Sequence, residues 1–315
     1  MATNTWSAAA PGNWSTAGNW SLGHAPLAGE DVVYDSATSA QPCTVDVDPA
    51  ANLASITTSV GLGSIAFGTH TVSVTGNVSM NGGTASGVWT VGGNFTLVAV
   101  ATFNGTLTCT GAVSINSTAT VTMGGDWDAG TFAWDSGNFV LNNHTLTVRG
   151  TLAMDPVLTS GICTLTGTIF VDPTALTFAN IVRRHATSSI TGLTIRVGTT
   201  AAVVLGLVSM GSETISRLIC TGAGVGWPNS ANIVTISNYA PGDWNNATWA
   251  TDAPGTPWHL SAPSPFTVTG LNATDTHNAG AIVTVAGGTN GGGNEGFTWG
   301  YAMSPAGGRL EPFEE

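Results

Sequence analysis

The chain of 315 residues carries 6 Lys+Arg against 18 Asp+Glu, a net charge of −12, and only 8% of its residues are charged. All six cations are arginine (Arg149, Arg183, Arg184, Arg196, Arg217, Arg309); a phosphate-neutralising groove needs clustered Lys and Arg, so nucleic-acid binding is excluded. At 42% hydrophobic the chain is too apolar for intrinsic disorder, yet no run approaches the ~18 apolar residues of a membrane span, so no membrane insertion is expected.

Residues 1–30 are rich in Trp, Gly, Asn and Pro and contain a near-duplicate, Gly12-Asn13-Trp14-Ser15 and Gly18-Asn19-Trp20-Ser21. Two such turns predict an N-terminal cap over an exposed strand end, because an open terminal coil presents unpaired backbone groups. The sharper alternative is aromatic sugar binding at Trp14 and Trp20. The opening Met1-Ala2-Thr3-Asn4-Thr5-Trp6 has neither a cationic region nor an apolar stretch, which predicts synthesis in the cytosol.

From residue 31 to 220 short segments alternate apolar and hydroxylic residues, as in Thr71-Val72-Ser73-Val74, Thr106-Leu107-Thr108-Cys109 and Thr145-Leu146-Thr147-Val148. A period of two puts aliphatic side chains on an inner face and Thr or Ser on the outer one. Between them recurs a five-residue phrase: apolar, polar or Gly, Gly, any residue, apolar. It occurs at Val74-Thr75-Gly76-Asn77-Val78, Val91-Gly92-Gly93-Asn94-Phe95, Cys109-Thr110-Gly111-Ala112-Val113, Met123-Gly124-Gly125-Asp126-Trp127, Val148-Arg149-Gly150-Thr151-Leu152 and Leu165-Thr166-Gly167-Thr168-Ile169. Most copies fall one solenoid coil apart. The long interval from Gly125 to Gly150 predicts an insertion, a protruding loop running from Trp127 to Trp134. Cys43, Cys109, Cys163 and Cys220 are dispersed without metal-ligand spacing and read as buried thiols.

Past Thr221 the style changes to a Pro- and Trp-rich segment, including Trp227-Pro228, Trp244, Trp249 and Pro257-Trp258, before strands resume at Phe266 and Ala281. Residues 221–315 are therefore expected to form a C-terminal module with a terminal β coil and an acidic tail at Glu311, Glu314 and Glu315.

The Gly-Asn-Trp-Ser repeat, with Gly29-Glu30-Asp31-Val32-Val33-Tyr34-Asp35 and Cys43-Thr44-Val45-Asp46, resembles the start of parallel β-helix surface proteins found among autotransporter-type adhesins and tailed-phage structural proteins. The stretch from Asn278-Ala279-Gly280-Ala281 to Asn294-Glu295-Gly296-Phe297 is similar to the last coil of phage-associated members. The resemblance implies an all-β, right-handed parallel β-helix (β-solenoid) with a surface or virion role, and implies no catalytic residue. Autotransporters carry a secretion leader and a membrane barrel; the absence of both patterns from this sequence favours the phage group.

For chemistry, Asp126 and Asp128 flank Trp127, and Trp134-Asp135 follow in the same proposed loop. At i, i+2 on a strand the first two carboxylates share a side, a placement that could hold a calcium ion or form an acid/base pair or glycan site beside a tryptophan platform. Asp46 and Asp48 share that spacing, but Pro49 marks an ordinary turn. Six dispersed histidines (His24, His70, His144, His185, His259, His277) form no metal motif, and no cofactor or metal is expected. The resulting expectation is a non-enzymatic structural protein on a bacteriophage virion surface: a capsid decoration, head fibre or tail-fibre component, made in the host cytoplasm. Its partners would be capsid or tail proteins, with Trp244, Trp249 and Trp258 as interface candidates and a homo-oligomer, a trimer foremost, as its assembly. The alternatives are a glycan- or receptor-binding tail-tip protein using Trp127, Trp134, Asp126, Asp128 and Asp135, and a polysaccharide depolymerase.

Overall fold

The computed structural model describes residues 1–300 apart from 51, 62, 100, 155–161, 173–176, 184–189, 191, 199–202, 210–212, 221–223, 228–232 and 252–257. Residues 177–183, 203–209, 213, 224–227, 233, 250–251, 258 and 300 are described as backbone only. Arg184, His185, Arg309 and the acidic tail thus lie outside the described residues, as do the side chains of Arg183 and Trp258.

The chain is all-β, a parallel β-solenoid; among the described residues the only helical element is the 3-10 turn Ala17–Asn19. The strands fall on three ladders, visited in turn. The first ladder passes through Asn4, Val32, Ile56, Val78, Phe95, Val113, Phe132, Leu152 and Ala179. The second passes through Gly12, Cys43, Ile65, Ala85 and Phe103 and resumes with Val121, Phe139 and Cys163. The third passes through Val72, Trp89, Leu107, Trp127, Leu146, Ile169, Ile195 and Leu218. Every one of these pairings is parallel, so the hydrogen bonds run between successive coils and the side chains point into or out of the prism.

Alternation decides which way each side chain points. In Thr71–Val74 and Thr145–Val148 the aliphatic residues are buried, while the hydroxylic residues between them lie on the outer side. Aromatic rings fill the axis from coil to coil: Trp14 meets Phe67 at 6.0 Å, Phe67 meets Trp89 at 4.8 Å, Trp89 meets Phe103 at 5.7 Å, and Phe103 meets Trp127 at 5.6 Å between centroids. Tilted and edge-to-face pairs of this kind add about 0.5–1.5 kcal/mol each beyond the area they bury.

The repeat phrase makes a corner, and its composition follows from how closely the coils approach there. The N–H of Gly93 donates to the Gly76 carbonyl at 2.9 Å, and that of Gly111 to the Gly93 carbonyl at 3.2 Å. A Cβ on Gly93 would lie 2.6 Å from the Gly76 oxygen and also collide with Asn77 Oδ1, so glycine is the residue that lets this column close. The next position holds a side-chain acceptor for the coil above: Asn94 N–H donates to Asn77 Oδ1 and Ala112 N–H to Asn94 Oδ1, both at 2.9 Å.

This column corrects the expected insertion. It continues from Gly111 to Gly130, whose added Cβ would meet the Gly111 oxygen at 2.7 Å, and then to Gly150, whose added Cβ would meet the Gly130 oxygen at 2.9 Å. Gly125 and Gly167 belong instead to the approach to the third ladder, just before Trp127 and at the start of Gly167–Val171. The interval from Gly125 to Gly150 therefore holds no extra loop. Residues 127–140 form one strand, Trp127–Val140, paired with the coils on both sides.

At the N-terminal end, Thr3–Thr5 forms the first rung, and Trp6 bridges antiparallel to Trp20 across its outer edge. Trp6, Trp14 and Trp20 are buried and pack on Tyr34, which makes them core and removes Trp14 and Trp20 as sugar platforms. Beyond residue 220 the Pro- and Trp-rich region contains more strand than its composition suggests: Gly224–Trp227, Ile233–Ile236, Thr248–Thr251 and Trp258–Ser261. The first ladder runs on from Val203 through Val225, Trp249 and Ala273 to Asn290.

Candidate functional site

The region singled out by sequence starts on the third ladder at Trp127 and turns onto the first at Phe132 and Trp134, and its inner and outer sides have separate fates. Trp127 and Trp134 are each 1% exposed. The Trp127 indole N–H donates to the Gly105 carbonyl at 2.8 Å, and the Trp134 indole N–H to the Ser136 carbonyl at 2.9 Å. Their ring faces meet Phe103, Phe132 and Phe139. A sugar platform requires an exposed ring face, so neither tryptophan serves as one.

The acidic residues do face outward together, as strand alternation predicted, with Asp126 exposed and Asp128 half-buried. They are held by structural partners. Asp126 Oδ1 accepts the Thr145 N–H at 2.8 Å, capping the next coil as Asn77 and Asn94 do, and lies 3.7 Å from His144 Nδ1. Asp128 takes a bidentate pair from Arg149, at 3.1 Å from Nε and 2.8 Å from Nη2, while Arg149 Nη1 donates to Asp172 at 2.7 Å. The hydrogen bonds with Asp128 raise the Arg149 pKa above its ordinary value, with the nearby Asp172 charge adding to the effect. Asp128, Arg149 and Asp172 thus form a negative–positive–negative ladder across three successive coils. A general acid needs a carboxyl free to engage a substrate, and both oxygens of Asp128 are taken by the Arg149 guanidinium. Asp135 is half-buried on the same strand, between the buried Trp134 and Ser136.

Sequence reasoning missed Arg149 and Asp172 as partners of Asp128. The available signal was positional: each stands just beyond the end of the third-ladder segment of its coil, one coil apart.

Of the interface candidates, Trp244 and Trp249 are buried at 0% and 1% exposure. Their centroids are 4.7 Å apart, Trp244 packs on Phe266 at 4.8 Å, and its indole N–H donates to the Leu218 carbonyl at 3.0 Å. Both close the core of the C-terminal coils and are not surface anchors. Trp258 opens the strand Trp258–Ser261, and its side chain lies outside the described residues. The turn carrying Trp244 is fixed by Asp243, a buried carboxylate that receives Arg217 Nε at 2.7 Å and Nη2 at 2.6 Å, plus the Ala240 N–H at 2.9 Å.

Asp46 and Asp48 are turn residues that tie coils together. Ser15 donates to Asp46 through its N–H at 3.0 Å and its hydroxyl at 2.6 Å, and these bonds hold the Asp46 carboxyl below its usual pKa. His70 Nδ1 lies 2.9 Å from Asp48, whose pKa is lowered mainly by that hydrogen bond. All four cysteines are buried. Desolvation pushes the Cys43 thiol up to about 12 and raises Cys109 and Cys220 as well. Among the described residues, no group of three or more His, Cys, Asp or Glu is arranged to hold a metal ion. The chain matches no described protein family, no curated protein and no solved structure.

Proposed function

We propose that the chain is a non-enzymatic structural protein of a bacteriophage virion, a β-solenoid displayed on the particle surface as a capsid decoration or fibre component. One observation carries the reading: the side chains the sequence offers for chemistry are used to hold coils together. Trp127, Trp134, Trp244 and Trp249 fill the core, and Asp126 and Asp128 are spent on a coil cap and on the Arg149 pair. Parallel ladders with hydroxylic outer faces make a stiff, sparsely charged surface suited to standing in solution on a particle. Attachment to capsid or tail proteins uses an end of the rod, because its sides carry few large apolar anchors. Partly buried Phe297 and Trp299, on the last described strand, are the aromatic residues placed for that contact.

The test is mass spectrometry and antibody labelling of purified particles from a lysate in which the gene is expressed. Stoichiometric presence on intact virions supports the assignment; absence from washed particles rejects it. The glycan-binding and depolymerase readings gain no specific observation.

A further inference from the structure

The outer side of the C-terminal coils stacks two histidines that the sequence keeps apart. Trp258–Ser261 pairs in parallel with Thr276–Asn278, and the register sets His259 directly against His277. The same column continues through a parallel bridge from His277 to Glu295. Leu260 and, on either side of His277, Thr276 and Asn278 are buried, so alternation turns both imidazoles outward, where each is half-buried. The ring centroids lie 5.2 Å apart at 85°. Glu295 Oε2 lies 3.5 Å from His277 Nδ1.

This spacing is that of a two-imidazole chelate. Metal–nitrogen bonds of about 2.0–2.1 Å at a tetrahedral angle put two imidazole centroids about 5 Å apart. The backbone ladder fixes both Cα positions before any ion arrives, so little ordering entropy is lost on binding. A carboxylate beside Nδ1 favours the proton on that nitrogen and leaves Nε2 with its lone pair, the arrangement by which a carboxylate orients a ligating histidine. The net charge of −12 draws cations toward the surface. Imidazole donors favour zinc, copper and nickel over calcium or magnesium.

We propose that His259 and His277 form a surface site for one divalent transition-metal ion, with Glu295 as the positioning residue and water filling the remaining coordination positions. The site has two protein ligands, consistent with no three-ligand cluster among the described residues. It is independent of the virion assignment.

The experiment is calorimetric titration of the full chain with Zn²⁺, paired with electron paramagnetic resonance of the Cu²⁺-loaded protein. Wild type is compared with His259→Ala, His277→Ala, Glu295→Gln and, as a control on a distant pair, His70→Ala. One ion per chain is expected, with a copper spectrum showing two equivalent nitrogen donors. Affinity should fall at least about tenfold in either histidine variant at the site and stay unchanged in His70→Ala. Glu295→Gln should weaken binding by about tenfold while keeping the two-nitrogen spectrum. No binding by wild type, or loss in only one of the two site variants, overturns the pair; unchanged affinity in Glu295→Gln overturns the role given to that residue. Far-UV circular dichroism of each variant, matching wild type, separates loss of the site from loss of the fold.

Discussion

Replacing Gly93 with alanine tests the corner column directly. The added methyl would sit 2.6 Å from the Gly76 carbonyl oxygen and against Asn77 Oδ1, and ordinary carbon–oxygen contact would require the coils to part there by about 1 Å. Two hydrogen bonds cross this gap, Gly93 N–H to Gly76 O and Asn94 N–H to Asn77 Oδ1, both 2.9 Å long. Stretched by that amount they pass the limit of useful geometry, at about 1 kcal/mol each. Strain from overpacking adds about 1–3 kcal/mol, so the expected loss is about 3–5 kcal/mol, felt by the coils on either side. Gly18 is the matched control: nothing lies within 4 Å of its added Cβ, and Gly18→Ala should stay within about 0.5 kcal/mol of wild type. Urea unfolding followed by circular dichroism gives the midpoint. Hydrogen exchange then locates the damage, since a solenoid opens locally around its weakest interface. A Gly93→Ala protein within 1 kcal/mol or so of wild type, or one no weaker than Gly18→Ala, would refute the claim that these glycines set the coil spacing.

Further outcomes follow from the same packing. Trp127→Ala should cost about 3–5 kcal/mol in urea titration, since it empties a core position and leaves the Gly105 carbonyl without its donor; an unchanged midpoint would return Trp127 to the surface. Arg217→Met leaves the buried Asp243 carboxylate without its bidentate partner and should destabilise by about 3 kcal/mol, whereas Arg149→Ala, in a half-exposed ladder, should cost about 1 kcal/mol or less. The buried thiols should resist a thiol reagent at pH 8 until the chain is unfolded in guanidinium, when all four cysteines react. Because burial raises Cys43 from about 9 to about 12, the folded state binds its proton more tightly than the unfolded chain. That contribution is complete below pH 9 or so and is lost as pH rises toward 12, so the unfolding midpoint should fall across this window.

The sequence by itself determined the solenoid. Thr71-Val72-Ser73-Val74 and its relatives carry their own inside and outside, because a period of two is a local property of the strand. Glycine followed by asparagine or aspartate marks a corner, since backbone approach and a side-chain acceptor are both needed there. The outward pairing of Asp126 with Asp128 was legible for the same reason. What only the tertiary structure decided is which residues meet between coils. Asp128 finds Arg149 and Asp172, Gly111 finds Gly130 instead of Gly125, and His259 finds His277, through a register that depends on the length of every intervening turn. The tryptophans were misplaced because an aromatic residue among glycines and prolines looks the same whether its ring seals the axis or faces water. Burial of Trp127, Trp134, Trp244 and Trp249 is settled by coils above and below, about twenty or more residues away in sequence, and no local pattern carries that distance.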